Sequence, residues 1–169
     1  DMAVGATGFI GGSGNGALWI LFLNRDGTVK SQQMISESEG GLLLQLESQD
    51  RFGDSVANLG DLDGDNLPEL AVSIPGYSDE FSRGAVTILF LNPDGTVKAH
   101  QKISNSEGVL AGMLDLGDRF GSSLSNLQDV DGNGVNDLAV GVKDNDDGGI
   151  SRGAVFVLFL NRDGTVDHA

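Results

Sequence analysis

Asp61-Leu-Asp-Gly-Asp-Asn-Leu-Pro-Glu69 runs directly into Leu70-Ala71-Val72, so a segment with carboxylates at its first, third, fifth and ninth positions passes without a break into an apolar run. Beginning at position 129, sixty-eight residues further on, Asp129-Val-Asp-Gly-Asn-Gly-Val-Asn-Asp137 runs into Leu138-Ala139-Val140 with oxygen-bearing side chains at the same four positions. The acidic segment is one part of a repeat, and the repeat decides the fold.

The same offset relates Phe52-Gly53 to Phe120-Gly121, Ser36 to Ser104, and Asp1 to Glu69 and Asp137. Gly84-Ala85-Val86 matches Gly16-Ala17-Leu18 at that spacing and Gly153-Ala154-Val155 at one residue more, which places a single insertion before the third copy. The chain divides into a partial unit over 1–36, a complete unit over 37–104 and a third over 105–169 whose outer strand is short. Asp1 falls inside a repeat, so a piece of a longer protein is expected, and exposed faces and edges of the array predict self-association or pairing with further repeats.

Each unit holds four segments of strand character. The first, Phe52–Asn58 and Phe120–Asn126, is rich in small residues and suits a crowded inner position. The second is Glu69-Leu-Ala-Val-Ser-Ile74, matched by Asp1–Ala6 and Asp137–Val142. The third, Gly84-Ala-Val-Thr-Ile-Leu-Phe-Leu-Asn92 with its copies Gly16–Asn24 and Gly153–Asn161, is apolar at nearly every position, as a strand must be when both its faces are covered. Asn-x-Asp-Gly-Thr follows in all three copies and signals a hairpin into a fourth, mixed-polarity strand at the solvated edge. Polar connections over 37–51 and 105–119 lead to the next unit, and no helix of any length is indicated. Four antiparallel strands whose third is apolar on both sides describe a sheet packed between copies of itself, a blade of an all-β propeller. A stacked solenoid, with rungs of ~20–30 residues, is too short for four strands and their loops.

Composition narrows the partners. The 169 residues carry a net charge of −15 with a sequence pI near 4.1, so nucleic acid and anionic membranes are disfavoured and cations are the natural counterpart. Apolar content of 39% suits a packed core, and 26 glycines with 3 prolines suit a turn-dense β fold. With no cysteine, disulfides and thiolate chemistry are excluded and the redox compartment stays open. No leader-like segment opens the chain, and no run approaches the ~18 apolar residues of a membrane span.

The acidic loops match the needs of calcium, a hard cation that takes ~6–8 oxygens, because alternate residues of a tight loop can point side chains at one centre. Asp61, Asp63, Asp65 and Glu69 are the side-chain ligands expected in the first loop, with the carbonyl of Leu67 as a fifth. Asp129, Asp131, Asn133 and Asp137, with the carbonyl of Val135, are expected in the second. An EF-hand would need a bidentate Glu at position twelve and flanking helices, whereas position twelve is Val72 or Val140 inside strand sequence. The plainer reading is a pair of polar turns. Magnesium is a weaker fit, since it prefers a strict octahedron with retained waters. With four carboxylates against three and an amide, the first loop is expected to suffer more without metal.

Phe52-Gly53, Phe120-Gly121, the Asp-x-Asp-Gly-Asp/Asn loops and the Leu-Ala-Val and Gly-Ala-Val strands resemble the FG-GAP repeats of the integrin alpha-subunit β-propeller, over essentially the whole chain. The resemblance implies about two and a half blades of a seven-bladed propeller, with calcium loops between first and second strands, in an extracellular adhesion or surface-recognition protein. Only pieces of the Gly-Ala-Pro part survive, as Ser73-Ile74-Pro75, Gly5-Ala6-Thr7 and Gly141-Val142-Lys143. The closeness of the copies favours a bacterial or recently amplified array.

Catalytic signatures are missing: no Gly-x-Ser-x-Gly, Walker loop or His-Glu-x-x-His occurs, and a non-enzymatic role is expected. His100 and His168 occupy unrelated repeat positions and read as surface residues. Trp19, in register with Thr87 and Phe156, reads as core between blades, and Arg83 and Arg152 as structural. The ligand would be a protein or a glycan. Two alternatives stay open, a lectin-like carbohydrate-binding propeller and an accessory FG-GAP domain of a secreted hydrolase.

Overall fold

Alternation along one strand explains the architecture. In β6 (Ala85–Leu91), Val86, Ile88 and Phe90 enter one hydrophobic cluster while Ala85, Leu89 and Leu91 enter another. A strand whose successive side chains point to opposite faces needs apolar residues at every position when both faces meet a neighbouring sheet. The computed structural model describes residues 1–8, 15–77, 83–106, 108–147, 149 and 152–169. Within them lie three antiparallel sheets, each a meander in chain order.

The first sheet contains β1 (Met2–Gly5), β2 (Leu18–Leu23) and β3 (Val29–Ile35). The second contains β4 (Val56–Gly60), β5 (Glu69–Ile74), β6 and β7 (Val97–Ser104), and the third β8 (Phe120–Gln128), β9 (Asp137–Val142), β10 (Ala154–Leu160) and β11 (Val166–His168). These are partial β-propeller blades. A register shift recurs at the same place before each outer hairpin, at Phe22/Leu23, Phe90/Leu91 and Phe159/Leu160. The connection over 105–119 includes a 3-10 turn at Gly108–Leu110, the one helical element among the described residues.

One cluster packs the first sheet on the second through Leu18, Ile20, Phe52, Leu70, Val72 and Leu89. The other packs the second on the third through Val86, Ile88, Phe120, Leu138, Val140 and Leu158. Phe-Gly makes the joins: Phe52 and Phe120 are fully buried and form parallel bridges to Gly16 and Gly84 of the preceding sheet. Phe52 N–H donates to the Asn15 carbonyl at 2.9 Å, and Phe120 N–H to the Arg83 carbonyl at 2.8 Å. Gly84 has φ +86°, and a Cβ there would fall on the Phe120 carbonyl oxygen, so glycine is required twice over.

Side chains repeat the join with different chemistry. Asn15 Nδ2 donates to the Leu46 carbonyl at 2.9 Å, and Arg83 Nε, at the matching register, donates to the Leu114 carbonyl at 3.0 Å. The structural role expected for Arg83 is what the geometry shows, whereas Arg152 is exposed. The inner strands are tied as well: Leu124 N–H donates to Ser55 Oγ at 3.0 Å and Asn126 Nδ2 to the Asn58 carbonyl at 2.7 Å. Trp19 differs from expectation in being only partly buried. Leu18 and Ile20 take the face of β2 that meets the second sheet, and alternation turns Trp19 to the opposite face.

Candidate functional site

The two acidic loops, 61–69 and 129–137, join the first and second strands of the second and third sheets. Each is a ladder in which side-chain oxygens receive the loop's own backbone N–H groups. Asp61 accepts from Gly64 at 2.7 Å and Asn66 at 3.0 Å, and Asp129 accepts from Gly132 at 2.7 Å and Gly134 at 3.0 Å. Asp63 and Asp131 accept from the N–H groups of Asp65 and Asn133. Asp65 and Asn133 accept in turn from Leu67 at 2.9 Å and Val135 at 2.7 Å. The alternate spacing thus curls the loop inward from both ends, as Asx-type bonding to nearby N–H groups does in polar turns.

The result brings carboxylates together. Oxygens of Asp61, Asp63 and Asp65 lie within 4.8 Å of one another, as do oxygens of Asp129, Asp131 and Asp137. Leu67 and Val135 are anchored in the loops by their N–H groups. Asn133 turns its Nδ2 to Asp131 at 3.2 Å and to the Leu160 carbonyl at 3.1 Å, so a neutral hydrogen-bond donor stands where the first loop has the Asp65 carboxylate.

The ninth positions differ by one methylene, and the difference matters. Glu69 and Asp137 are both fully buried. Asp137 satisfies both oxygens, one with the Val130 N–H at 2.8 Å and one with the Leu160 N–H at 3.1 Å. Asp1 accepts from the corresponding Leu23 N–H at 3.0 Å. Glu69 Oε2 accepts from the Leu62 N–H at 2.6 Å, but Oε1 is buried with no hydrogen-bond partner. Burial first, and then the charges of Asp63 and Asp65, push the Glu69 carboxyl above the usual carboxylate range, with the backbone N–H groups of Leu62 and Asp63 opposing.

Lysine enters the first loop, a feature that reading the acidic residues alone misses. Lys98 Nζ lies 2.8 Å from Asp63 Oδ2 and 2.7 Å from Asp65 Oδ2. Its hydrogen bond is the main reason the Asp65 carboxyl is held below the usual range. The signal was present in the repeat, since Thr28-Val-Lys30, Thr96-Val-Lys98 and Thr165-Val-Asp167 match and the last reverses the charge.

The histidines are apart from both loops. His168 is exposed and stacks on Phe159 with ring centroids 4.2 Å apart. His100 is partly buried on the outer strand β7; burial, then the Lys102 charge, lowers its pKa.

A model of the FG-GAP repeat matches residues 52–89, which run from the Phe-Gly join through the first acidic loop into β6. Relatives extend that match: integrin alpha-4 of Xenopus laevis is 38% identical over 92 residues, 54% of this chain and 8% of its own length. The chain is an integrin-alpha-like FG-GAP repeat array. Integrin alpha-IIb of Homo sapiens is 36% identical over 100 residues, 59% of this chain, and integrin alpha-V of Gallus gallus 33% over 131 residues, 72% of this chain. The FG-GAP chain spans only 9% and 12% of the lengths of those two relatives. Among its described residues no helix is long and apolar enough to cross a membrane.

Proposed function

We propose that this FG-GAP array is a calcium-binding, non-enzymatic propeller segment of an extracellular surface-recognition protein, its three units over 1–36, 37–104 and 105–169 acting as consecutive blades. Calcium would be held by Asp61, Asp63, Asp65, Glu69 and the Leu67 carbonyl in one loop, and by Asp129, Asp131, Asn133, Asp137 and the Val135 carbonyl in the other. The observation that carries this reading is Glu69 Oε1, a buried carboxylate oxygen without a hydrogen-bond partner at the base of an acidic loop. Leaving such an atom unpaired is costly, and a divalent cation removes both that cost and the mutual repulsion of the aspartates. When bound, the ion supplies positive charge that fixes the loop, and the loop fixes the start of β5 or β9. The likeness to integrin alpha chains supports the cell-surface setting and a protein or glycan partner.

The test is a melt with and without chelator. A ligand at a hundred times its dissociation constant stabilises by about 2.7 kcal/mol. For a chain of this size that corresponds to a fall of roughly 5–10 °C on chelation, restored by calcium and less well by magnesium. An unchanged melt after complete chelation refutes the proposal.

A further inference from the structure

We infer that Lys98 is a tethered competitor for divalent cations at the first acidic loop, and that it makes this loop the weaker of two calcium sites. The inference rests on the calcium reading above. Its ammonium bridges Oδ2 of Asp63 and of Asp65, two of the oxygens a cation would use, at 2.8 and 2.7 Å. These are not incidental neighbours. β5 and β7 both begin at the end of the sheet that carries the loop, so the outer strand delivers its second residue to the loop's mouth. Glu69 Oε1 remains unpartnered even with the lysine in place, so the ammonium offsets the outer charges and leaves the inner oxygen unserved.

The third sheet provides the internal control. Val97 pairs with Leu91 and Val166 with Leu160, so Lys98 and Asp167, the next residue in each strand, hold the same register. Where the second sheet offers an ammonium, the third offers a carboxylate, 63% exposed and paired with His168 at 2.9 Å. The first loop therefore has four carboxylates and an opposing cation, and the second has three carboxylates, an amide and an additional acid on its outer strand. The swap reverses the order that carboxylate counting alone predicts.

A cation entering the first loop must displace the ammonium or tolerate its repulsion. Lys98 is 42% exposed on a flexible stem, so displacement is mechanically easy and the effect is one of affinity rather than access. A unit charge about 5 Å from a divalent ion in a water-like dielectric changes affinity by about tenfold.

Calcium titration of the whole chain by isothermal calorimetry tests this. Lys98→Gln is expected to tighten the weaker site about tenfold and leave the other unchanged, and Lys98→Arg, which keeps the charge, to behave as the parent. Asp167→Lys is expected to weaken the tighter site by a similar factor. If the parent takes up calcium and Lys98→Gln leaves both sites unchanged, the competitor role is overturned and the calcium reading stands. If neither the parent nor Lys98→Gln takes up calcium, both fall.

Discussion

The second and third sheets have matching sequences and different surroundings. β5 and β6 are buried along their whole length, whereas β9 and β10 retain partly exposed positions. The contrast is sharpest at Val86, fully buried, and Val155, its register equivalent, 68% exposed. An apolar strand encodes the capacity to be covered on both faces, and the neighbouring sheet decides whether that capacity is used. Stabilisation follows area removed from water, so identical residues contribute unequally in the two sheets.

The largest expected difference lies at the glycine that opens the third strand. Gly84→Ala places a methyl on the Phe120 carbonyl at a positive φ and is expected to cost about 3 kcal/mol or more. At Gly153 the φ is +70° but the nearest atom a Cβ would meet, the Lys143 carbonyl oxygen, is 3.1 Å away. The alanine there is expected to cost about 1–2 kcal/mol from the dihedral alone. Urea denaturation of both variants decides; equal losses would show that the dihedral, and not the join, sets the requirement.

A smaller gap is expected at the valines. Val86→Ala is predicted to destabilise by about 2 kcal/mol through lost burial and a residual cavity, and Val155→Ala to stay within about 0.5 kcal/mol of the parent. Comparable losses would mean that the face of β10 is covered in solution, and sedimentation of the same samples would then reveal an associated species.

The smallest effect tests a feature that all three sheets share. In each outer hairpin Thr28, Thr96 or Thr165 donates both its hydroxyl and its N–H to Asp26, Asp94 or Asp163. The hydroxyl bond first, and the backbone bond second, hold each aspartate below its ordinary value of 3.8. A depressed carboxyl adds stability that is present above its unfolded pKa and is lost as pH falls through the folded one. The melting difference between the parent and the variants Asp94→Asn or Asp163→Asn should therefore shrink as pH drops below about 4. It should do so equally for both, because each turn seats its buried glycine on the preceding sheet, Gly95 against Ile20 and Phe22 and Gly164 against Ile88, and leaves its aspartate exposed; a larger effect in one would contradict that.

Much of this was legible in the sequence because repetition turns weak local signals into aligned ones. The doubly apolar third strand, the Asp-Gly-Thr hairpins and the placement of each acidic loop between two strands could all be read from offsets of 68 and 69 residues. What could not be read concerns features the copies do not share. Asn15 and Arg83 have little chemistry in common, and only the register of the carbonyls they reach shows that they do the same work. Trp19 and Val155 look like core residues, and their exposure depends on what packs against the sheet rather than on their identity. Within the candidate site, the carboxylate spacing was visible, whereas the orphan oxygen of Glu69, at a position where Asp137 satisfies both of its own, was not. The repeat marks Lys98 as a position where charge reverses, but the aspartates it bridges lie more than thirty residues away, in a neighbourhood that only the sheet creates.

The Phe-Gly joins determine how the array responds to heat or to a pull. Each couples a sheet to the one that follows it, so the molecule behaves as links in series, with its stability divided between the links and their couplings. Stiff couplings make such a chain melt in one step, and weakened ones let it melt link by link. Since the same phenylalanine and glycine build both couplings, changing one of them should convert a single cooperative transition into two, with the freed link coming apart first and its neighbours holding.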